Sequence, residues 1–368
     1  MLKTYKYRIY PNNLQKEQIN KTFGSVRFVY NSVLVYKKEA YEKEHKSLTK
    51  IDLNNYCNRV LKNEYGWLRE IDKFALTNSI YNMDNAFNKF FKEHSGYPKF
   101  KSKRDNNKSY TTNYTNGNIV VDFDENKIKL PKLKYVKGKL HRRFNGVIKN
   151  ATISQVPSGK YYVSILVETK EEDLKPILKK EIGIDLGIKD LCITSDGDRY
   201  ENPKTIKKYE KKLKRLQRSF CRKEKGSNNS KKLKQKLAKV HEKVRNIRCD
   251  YLHKVSHKII NENQVIITEN LRVKNMMKNH NLASSISDVS WYELTRQLAY
   301  KAKWQGRKYI KINTFYASSQ LCHVCGYQNS KIKNLHIRDW KCPDCNADHD
   351  RDINAAKNIL QEGLRLMA

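Results

Sequence analysis

Alternating polar and apolar residues at the start of the chain predict a β-strand. The alternation runs through residues 3–9 and stops before Pro11, and Asn12 or Asn13 can cap a helix that follows. Apolar residues then recur at helical spacing as far as about residue 95. They form two stripes: Phe23, Val26, Val29, Tyr30, Val33 and Leu34, then Ile80, Met83, Ala86, Phe87 and Phe90. The sequence SGYPKF at residues 95–100 ends the last of these helices.

A strand period of two returns between residues 110 and 170. Short alternating segments there are separated by turns rich in Asn, Gly and Ser, such as Ser158-Gly159. They predict a small β-barrel or sandwich over residues 106–168, and the first strand, in residues 1–12, is expected to join it. The helical block of residues 13–105 is then an insertion between strands of one sheet.

The C-terminal half mixes both periods. Its predicted elements, in chain order, are a charged linker at 169–181, strands at 181–186, 190–195 and near 199–200, an antiparallel pair of basic helices within 204–262, a strand at 264–268, a polar segment at 273–290, a helix at 291–305, a strand at 307–312 and a final helix at 350–364. This order is typical of an RNase H-like α/β fold. We therefore predict a multidomain α/β protein.

Three carboxylates occupy the ends of these predicted elements. Asp185 closes an apolar strand just before Gly187, Glu269 closes the strand at 264–268, and Asp352 begins the final helix. Carboxylate oxygens suit Mg²⁺ or Mn²⁺, and two such ions about 4 Å apart can activate water and stabilise a leaving 3′ oxygen. We predict that the three are catalytic, with Asp185 bridging two ions and Glu269 and Asp352 each holding one.

Each carboxylate also has an ordinary structural interpretation. Asp185 fits a turn, Glu269 fits a strand end, and acidic residues favour the first turn of a helix. Asp350 competes with Asp352, but it lies two residues away and faces another side of the helix. The joint occurrence of the three in RNase H order favours catalysis.

Four of the eight cysteines form a cluster with metal-ligand spacing. Two Cys-x-x-Cys pairs predict a zinc ribbon over residues 320–346, in which four thiolates close a structural Zn²⁺ site. A redox role fits one such pair better than two. His323 and His349 are possible substitute ligands, which we expect to stay unligated. The predicted ligands are Cys322, Cys325, Cys342 and Cys345.

Charge indicates the partner. Lys and Arg number 75 against 38 Asp and Glu, a formal net charge of +37. Such an excess favours nucleic acid, because each phosphate contact releases counterions. Together with the three predicted catalytic carboxylates, the positive charge indicates a phosphodiester substrate rather than a small molecule. We find neither a long apolar segment nor the apolar stretch of a signal peptide, and so expect a cytoplasmic protein without a membrane partner.

Several motifs resemble the TnpB (OrfB) proteins of insertion sequences, compact relatives of type V CRISPR effectors. They are IGIDLG, TENLRVKNM, YASSQLCHVCG, IRDWKCPDC and HDRDINAAKNIL, with weaker matches at KYRIYPN and GYPKFKSK. Ala317 and Asn270 depart from the usual Pro and Asp of that family, but neither is a predicted ligand. The family's acidic triad falls on Asp185, Glu269 and Asp352, and its zinc ligands fall on the four clustered cysteines.

The resemblance also implies domains and an activity. It implies a RuvC-type nuclease at residues 169–319 and 347–368, an oligonucleotide-binding-like wedge domain at 1–12 and 106–168, and a helix-turn-helix-like recognition lobe at 13–105. TnpB-like proteins use a guide RNA from the transposon end to cleave double-stranded DNA beside a short transposon-adjacent motif. The alternatives are a transposase that works without a guide and a repressor that binds nucleic acid without cutting it. The intact triad argues against the repressor.

Overall fold

The computed structural model describes residues 1–105, 108–170, 176, 180–334 and 336–367. The chain divides into two compact units, residues 1–172 and 173–368. Most of the charged linker predicted at 169–181 lies outside the described residues. Within the described part of the chain, we find no helix with both the length and the apolar character needed to span a bilayer.

One antiparallel sheet of seven strands forms the base of the first unit. The strands are β1 (Leu2–Tyr10), β2 (Lys108–Asn113), β3 (Val120–Asp122), β4 (Lys127–Leu130), β5 (Lys134–Lys139), β6 (Val147–Gln155) and β7 (Tyr161–Glu168), in the spatial order β2-β6-β7-β1-β5-β4-β3. β1 pairs with both β7 and β5, which confirms that the first strand joins the later ones. The edge strands β2 and β3 do not pair with each other, so the described sheet is open.

Helices connect β1 to β2. They are α1 (Asn13–Glu44), α2 (Lys50–Tyr56), a π-helical turn (Cys57–Leu61), α3 (Lys62–Glu64), a 3₁₀ turn (Gly66–Glu70) and α4 (Lys73–Glu93). Asn12 caps α1, because its Oδ1 accepts from the Gln15 backbone N–H at 2.9 Å while Gln15 Oε1 accepts from the Asn12 N–H at 3.0 Å. Gln15 Nε2 also donates to the backbone oxygens of Leu133 and Tyr135, which ties α1 to the sheet. The predicted stripe of α1 is buried throughout.

The second unit is built on a five-stranded mixed sheet. Its strands are β8 (Glu181–Asp185), β9 (Asp190–Thr194), β10 (Arg199–Glu201), β11 (Val265–Thr268) and β12 (Lys308–Lys311), in the spatial order β10-β9-β8-β11-β12. β8, β11 and β12 are parallel to one another, whereas β9 pairs antiparallel with β8 and β10 pairs antiparallel with β9. The overall class is therefore mixed α/β, as predicted.

Helices and two short strands complete this unit. They are α5 (Thr205–Cys221), α6 (Asn228–Glu262), α7 (Val273–Met276), α8 (Ala283–Val289), α9 (Trp291–Trp304), a 3₁₀ turn (Ser330–Lys333), β13 (Asp339–Lys341), β14 (Asp348–Asp350) and α10 (Arg351–Arg365). α5 and α6 pack together, with Lys243 lying 5.4 Å from the Tyr209 ring, as an antiparallel pair requires. The segment predicted to be merely polar, 273–290, instead forms α7 and α8, because Ile286 and Val289 are buried in the core.

α10 lies unusually close to the sheet. A Cβ on Gly183 of β8 would stand 2.1 Å from the Ala356 backbone oxygen, and one on Gly363 would stand 2.3 Å from Ile267 Cγ2. Glycine at both contacts therefore allows a helix-to-sheet approach that any larger residue would prevent. The small Ala355 and Ala356 are fully buried in the same interface. This close packing fixes where the N-terminus of α10 meets the sheet.

Candidate active site

Two parallel strands bring two of the predicted carboxylates to one edge of the sheet. The register pairs Ile184 of β8 with Thr268 of β11, so the next residues, Asp185 and Glu269, follow neighbouring strand positions. The carboxyl ends of parallel strands are where open α/β sheets hold their ligands. Glu269 Oε1 also accepts a hydrogen bond from the Leu186 backbone N–H at 3.2 Å. The Glu269 side chain is thereby directed toward β8.

The first turn of α10 supplies the third carboxylate and separates it from its competitor. Asp350 is the N-cap: its Oδ1 accepts from the backbone N–H groups of Asp352 at 3.0 Å and Ile353 at 2.9 Å. Its Oδ2 accepts from Arg199 Nη2 at 2.6 Å. Asp350 thus has a capping role and a cationic partner of its own, whereas Asp352 lines the cleft beside Asp185 and Glu269.

The cleft has a volume of about 320 Å³. Gly187 lines it, but a Cβ there would lie 2.9 Å from the Asp190 backbone oxygen, so glycine serves the tight β8–β9 turn. Trp291 Nε1 donates to the Gly187 backbone oxygen at 3.2 Å and fixes the turn. The other lining residues include Ser318, Ser319, Arg338 and Arg351.

Burial and neighbouring charge strongly perturb Asp185. Burial, followed by the Glu269 carboxylate and then Asp352, raises the pKa of Asp185 well above its ordinary value of 3.8, while Arg351 partly opposes the rise. The Glu269 side chain lies close to Asp185, so the two carboxylates repel each other when both are ionised. A divalent cation would offset this repulsion, and the all-oxygen donor set suits Mg²⁺ or Mn²⁺.

Two arginines complete the cleft. Arg338 Nη1 donates to both carboxylate oxygens of Asp352, at 3.1 and 2.9 Å. Arg351 is buried, and its Nε and Nη1 have no hydrogen-bond partner among the described residues. Sequence reasoning did not place Arg338 beside Asp352, and it missed Arg351. The signal for Arg351 was its position between Asp350 and Asp352 in the first turn of α10.

The four clustered cysteines meet outside the cleft. Their sulfur atoms all lie within 4.8 Å of one another, with Cys322 Sγ 3.6 Å from Cys345 Sγ and Cys325 Sγ 3.6 Å from Cys342 Sγ. Zinc–sulfur bonds of about 2.3 Å in a tetrahedron require sulfur separations of about 3.8 Å. The arrangement therefore fits a zinc ion held by four thiolates.

Two matching backbone turns present these thiols. After Cys322, the Gly326 N–H donates to the Cys322 oxygen at 2.9 Å, and after Cys342 the Asn346 N–H donates to the Cys342 oxygen at 3.0 Å. Gly326 and Asn346 both have a positive φ, 81° and 56°. Glycine and asparagine are the residues that tolerate this conformation best.

The two histidines near the cysteines have different surroundings. His349 Nε2 lies 3.0 Å from Cys322 Sγ, and burial lowers the pKa of His349, so a neutral imidazole contacts the sulfur. His323 Nδ1 instead lies 3.0 Å from Asn354 Oδ1 on α10. We interpret His349 as a neighbour of a four-sulfur site, since the cysteines alone supply four donors.

Three parts of the chain match known protein families, and the whole chain matches known proteins. Residues 164–280 match the OrfB_IS605 family, described as "Probable transposase", residues 291–359 match a "Cas12f1-like, TNB domain", and residues 1–46 match the helix-turn-helix domain of OrfB_IS605. A Streptomyces pristinaespiralis protein named "Putative RNA-guided DNA endonuclease" is 35% identical over 372 residues, covering 100% of this chain and 90% of its own.

A second relative and one solved structure also match nearly the whole length of this chain. The Escherichia coli K12 protein InsQ, which carries the same description, is 33% identical over 384 residues, covering 100% of this chain and 94% of its own. The protein in the cryo-EM structure of a Cas12f1–sgRNA–target DNA complex has a TM-score of 0.58 and 16% identity, with 98% of each chain covered. At that identity the structural likeness concerns the fold alone.

Proposed function

We propose that this chain, which belongs to the TnpB (OrfB, IS605) family, is an RNA-guided DNA endonuclease that cuts beside a short transposon-adjacent motif. The observation that carries the proposal is the meeting of Asp185, Glu269 and Asp352 in one cleft of a chain with a net charge of +37. The names of its full-length relatives support the same activity.

The sheet topology supports a RuvC-type, RNase H-like nuclease. Three antiparallel strands come first in the chain, two strands parallel to β8 follow, and the spatial order is β10-β9-β8-β11-β12. We assign the nuclease to residues 169–319 and 347–368 and the zinc ribbon to 320–346. In the first unit we assign a wedge domain to residues 1–12 and 106–168 and a recognition lobe to 13–105, because β1 joins the later strands around the helices.

The three carboxylates would hold two Mg²⁺ ions, with Asp185 as the shared ligand. When bound, such ions activate water and stabilise the leaving oxygen of a phosphodiester. The protein's own contribution is to keep the carboxylates at one sheet edge and to bury Asp185 so that it binds a cation in preference to staying ionised alone. The cysteines would hold one structural Zn²⁺, which fixes the ribbon that carries Arg338.

Arg351 is a buried cation beside the carboxylates of the cleft. Its guanidinium Nε and Nη1 have no hydrogen-bond partner among the described residues, and both atoms are shielded from solvent. Its charge opposes the rise in the pKa of Asp185. We assign Arg351 the role of offsetting the negative charge of the acidic residues from within the protein.

The deciding experiment changes the RNA and follows the cut. The protein is purified with its transposon-end RNA, and the terminal segment of that RNA is replaced. Cleavage should move to double-stranded DNA that matches the new segment, because base pairing supplies the sequence code in a guided enzyme. Cleavage that stays at the old target, or that continues after RNase treatment, would favour a guide-independent transposase.

Asp185→Ala with intact RNA distinguishes the endonuclease from a repressor that binds nucleic acid without cutting it. If the protein is a repressor, the variant should repress a reporter promoter as strongly as the wild type. The wild type should then show no cleavage with any divalent metal. The exposed Asp250, which pairs with Lys254 on the surface of α6, provides the matched control as Asp250→Ala.

A further inference from the structure

Aromatic side chains form an exposed groove in the first unit, far along the chain from the predicted site residues. The groove is lined by Tyr41 on α1, by Phe87, Phe90 and Phe91 on α4, and by Tyr97 just beyond α4. We call these five residues the aromatic groove. Its volume is about 310 Å³. Three of its members are well exposed: Phe91 at 67%, Tyr41 at 60% and Tyr97 at 44%.

Helix ends produce this groove. α1 stops at His45 and α4 stops at His94, and both histidines have a left-handed φ of 50° that turns the chain away. After His94 the chain returns, so that the Tyr97 ring lies 5.5 Å from Phe87 and 5.3 Å from Phe90, edge to face. Only Phe87 belongs to the core, at 6% exposure. The remaining rings face outward without a core to fill.

Exposed rings of this kind require an explanation. Soluble proteins rarely leave contiguous large apolar side chains in water unless the patch binds something. Phe91 lies nearly parallel to Phe87, with 6.3 Å between the ring centroids and 20° between the planes, while Phe90 meets Phe91 at 65° and Tyr97 at 80°. Because Phe91 and Tyr97 are 67% and 44% exposed, each still presents ring surface to solvent. Flat faces of this kind are suited to stacking with another flat ring.

The charges around the groove favour an anionic partner, but not a phosphate at its floor. Lys37, Lys38 and Lys46 border it against a single acid, Glu42. Lys38 Nζ lies 6.0 Å from the Tyr97 ring centroid, whereas Lys37 is already paired with Asp84 at 3.1 Å. Two helix C-termini meet here, and their partial negative charge disfavours a phosphate in direct contact. A neutral ring inside the groove with phosphates at its lysine border satisfies both conditions.

We propose that the aromatic groove binds an unpaired nucleobase of a bound nucleic acid, by stacking on Phe91 and Tyr97. The size agrees, because the groove lies at the lower end of the roughly 300–1,000 Å³ typical of small-ligand pockets. It is therefore suited to a ring system rather than to a peptide helix. A base in a duplex has no free face, so the ligand is single-stranded RNA or DNA. The proposal rests on the nucleic-acid binding contained in the proposed function.

The test compares variants that lack the aromatic rings with variants that lack the bordering lysines. Phe91→Ala/Tyr97→Ala is purified free of nucleic acid, and binding of labelled oligo(U) and oligo(dT) of about twelve nucleotides is measured across a salt series. Affinity should fall about tenfold or more, because each lost base stack on an aromatic ring weakens binding by about that factor. The slope of log affinity against log salt should stay unchanged, since no phosphate contact is removed.

Lys38→Ala/Lys46→Ala should lower the salt slope, by roughly 1 to 2 units if both lysines meet phosphates. Tyr114→Ala is the matched control, as an exposed aromatic of the same unit at 40% exposure. Its affinity should equal that of the wild type. Binding of a duplex without unpaired ends should be the same for the groove variant and the wild type. Comparing oligo(U) with oligo(dT) tells whether RNA or DNA is the preferred source of the base.

Three outcomes overturn the proposal: unchanged single-strand affinity in the groove variant, an equal loss in Tyr114→Ala, or an equal loss for the duplex. Thermal unfolding of each variant checks that the fold is intact, which the exposure of Phe91 and Tyr97 leads us to expect. A groove variant that still cleaves guided DNA but shows no binding defect rejects the groove alone. Absence of guided cleavage in the wild type rejects the proposed function instead.

Discussion

The sulfur atoms of the four cysteines lie within 4.8 Å of one another, whereas the three carboxylates of the cleft are each engaged with other groups. Asp185 lies close to the Glu269 carboxylate, and Asp352 accepts two hydrogen bonds from Arg338. The cysteine site is prepared by two similar turns within one short segment. The carboxylate site is assembled from three distant segments that contact one another only in the folded unit.

Because of this difference, we expect the cysteine site to hold its cation permanently and the carboxylate site to exchange its cations. Thiolates already at tetrahedral separations gain a metal with little rearrangement, so the zinc should stay with the protein. A cation entering the cleft must compete with a proton for Asp185, whose pKa is raised, and with the Arg338 guanidinium for Asp352. Its binding should therefore depend on pH and on the substrate, while zinc binding should not depend on the substrate.

Asp185→Ala should separate the two sites most completely. The shared ligand of the cleft is lost, and with it several kcal/mol of transition-state stabilisation, so cleavage should fall by about 10³-fold or more. Zinc content and guide-RNA binding should equal those of the wild type. Gel-based cleavage assays, elemental analysis and filter binding measure the three quantities. Cutting at the wild-type rate in a clean preparation would falsify the catalytic assignment.

Cys342→Ser should affect the other site. Zinc content should fall from about one ion per chain to near zero, because zinc–thiolate bonding stabilises such small folds directly. Limited proteolysis should then cut within residues 320–346. Cys249→Ser, which removes a cysteine outside the cluster, is the control and should keep its zinc. Full zinc content in both variants contradicts the ribbon assignment.

Arg338→Ala tests the competition for Asp352. Removing the guanidinium frees the carboxylate, so the metal-depleted cleft should bind Mn²⁺ about threefold more tightly. This modest factor reflects the half-exposed arginine, since exposed ion pairs contribute roughly 0.2–1 kcal/mol. Mn²⁺ titration followed by electron paramagnetic resonance gives the affinity directly. Lys341→Ala, an exposed cation on β13, should leave it unchanged, and weaker Mn²⁺ binding by Arg338→Ala would refute the competition.

Asp185→Asn should increase the stability of the metal-free protein. Because the pKa of Asp185 is raised in the folded protein, the ionised form is less favourable folded than unfolded. Without Mg²⁺, the wild type therefore loses stability as the pH rises from about 3.8, the ordinary pKa of Asp, to the raised pKa of Asp185 in the folded protein. The Asn variant has no such loss. Its Tm advantage should grow as the pH rises above about 3.8, to about 2–4 °C, for about 1 kcal/mol. An advantage that is constant with pH, or equal in Asp250→Asn, argues against this cause.

Much of the fold was predictable because its signals are local. The Asn12 cap, the apolar stripe of α1 and the Cys-x-x-Cys turns each depend on residues within a few positions of one another. The convergence of Asp185 and Glu269 followed from their positions at strand ends. The π-helical turn at Cys57–Leu61 and the short helices α7 and α8 had no clear periodic pattern and were missed.

The unpredicted parts of the site depend on contacts between distant segments. Arg338 meets Asp352 because the ribbon docks against the start of α10, and nothing in the spacing of the two residues shows this. The same holds for the burial of Arg351. Phe90 and Phe91 were also ambiguous: the helical stripe predicts that Phe90 packs inward, yet α4 ends within a turn of it, so it is only half-buried.

The central position of β1 has a consequence for how the protein is made. Its neighbours lie between residues 137 and 168, so a strand at the start of the chain must pair with strands synthesised long afterwards. On the ribosome β1 has no partner until β5 has emerged, and its longer pairing waits for β7, while the intervening helices can form as they appear. Such late pairing slows folding and leaves an unpaired edge exposed in the interval. Synthesis rate and chaperone supply should therefore influence the yield of the first unit more than that of the second.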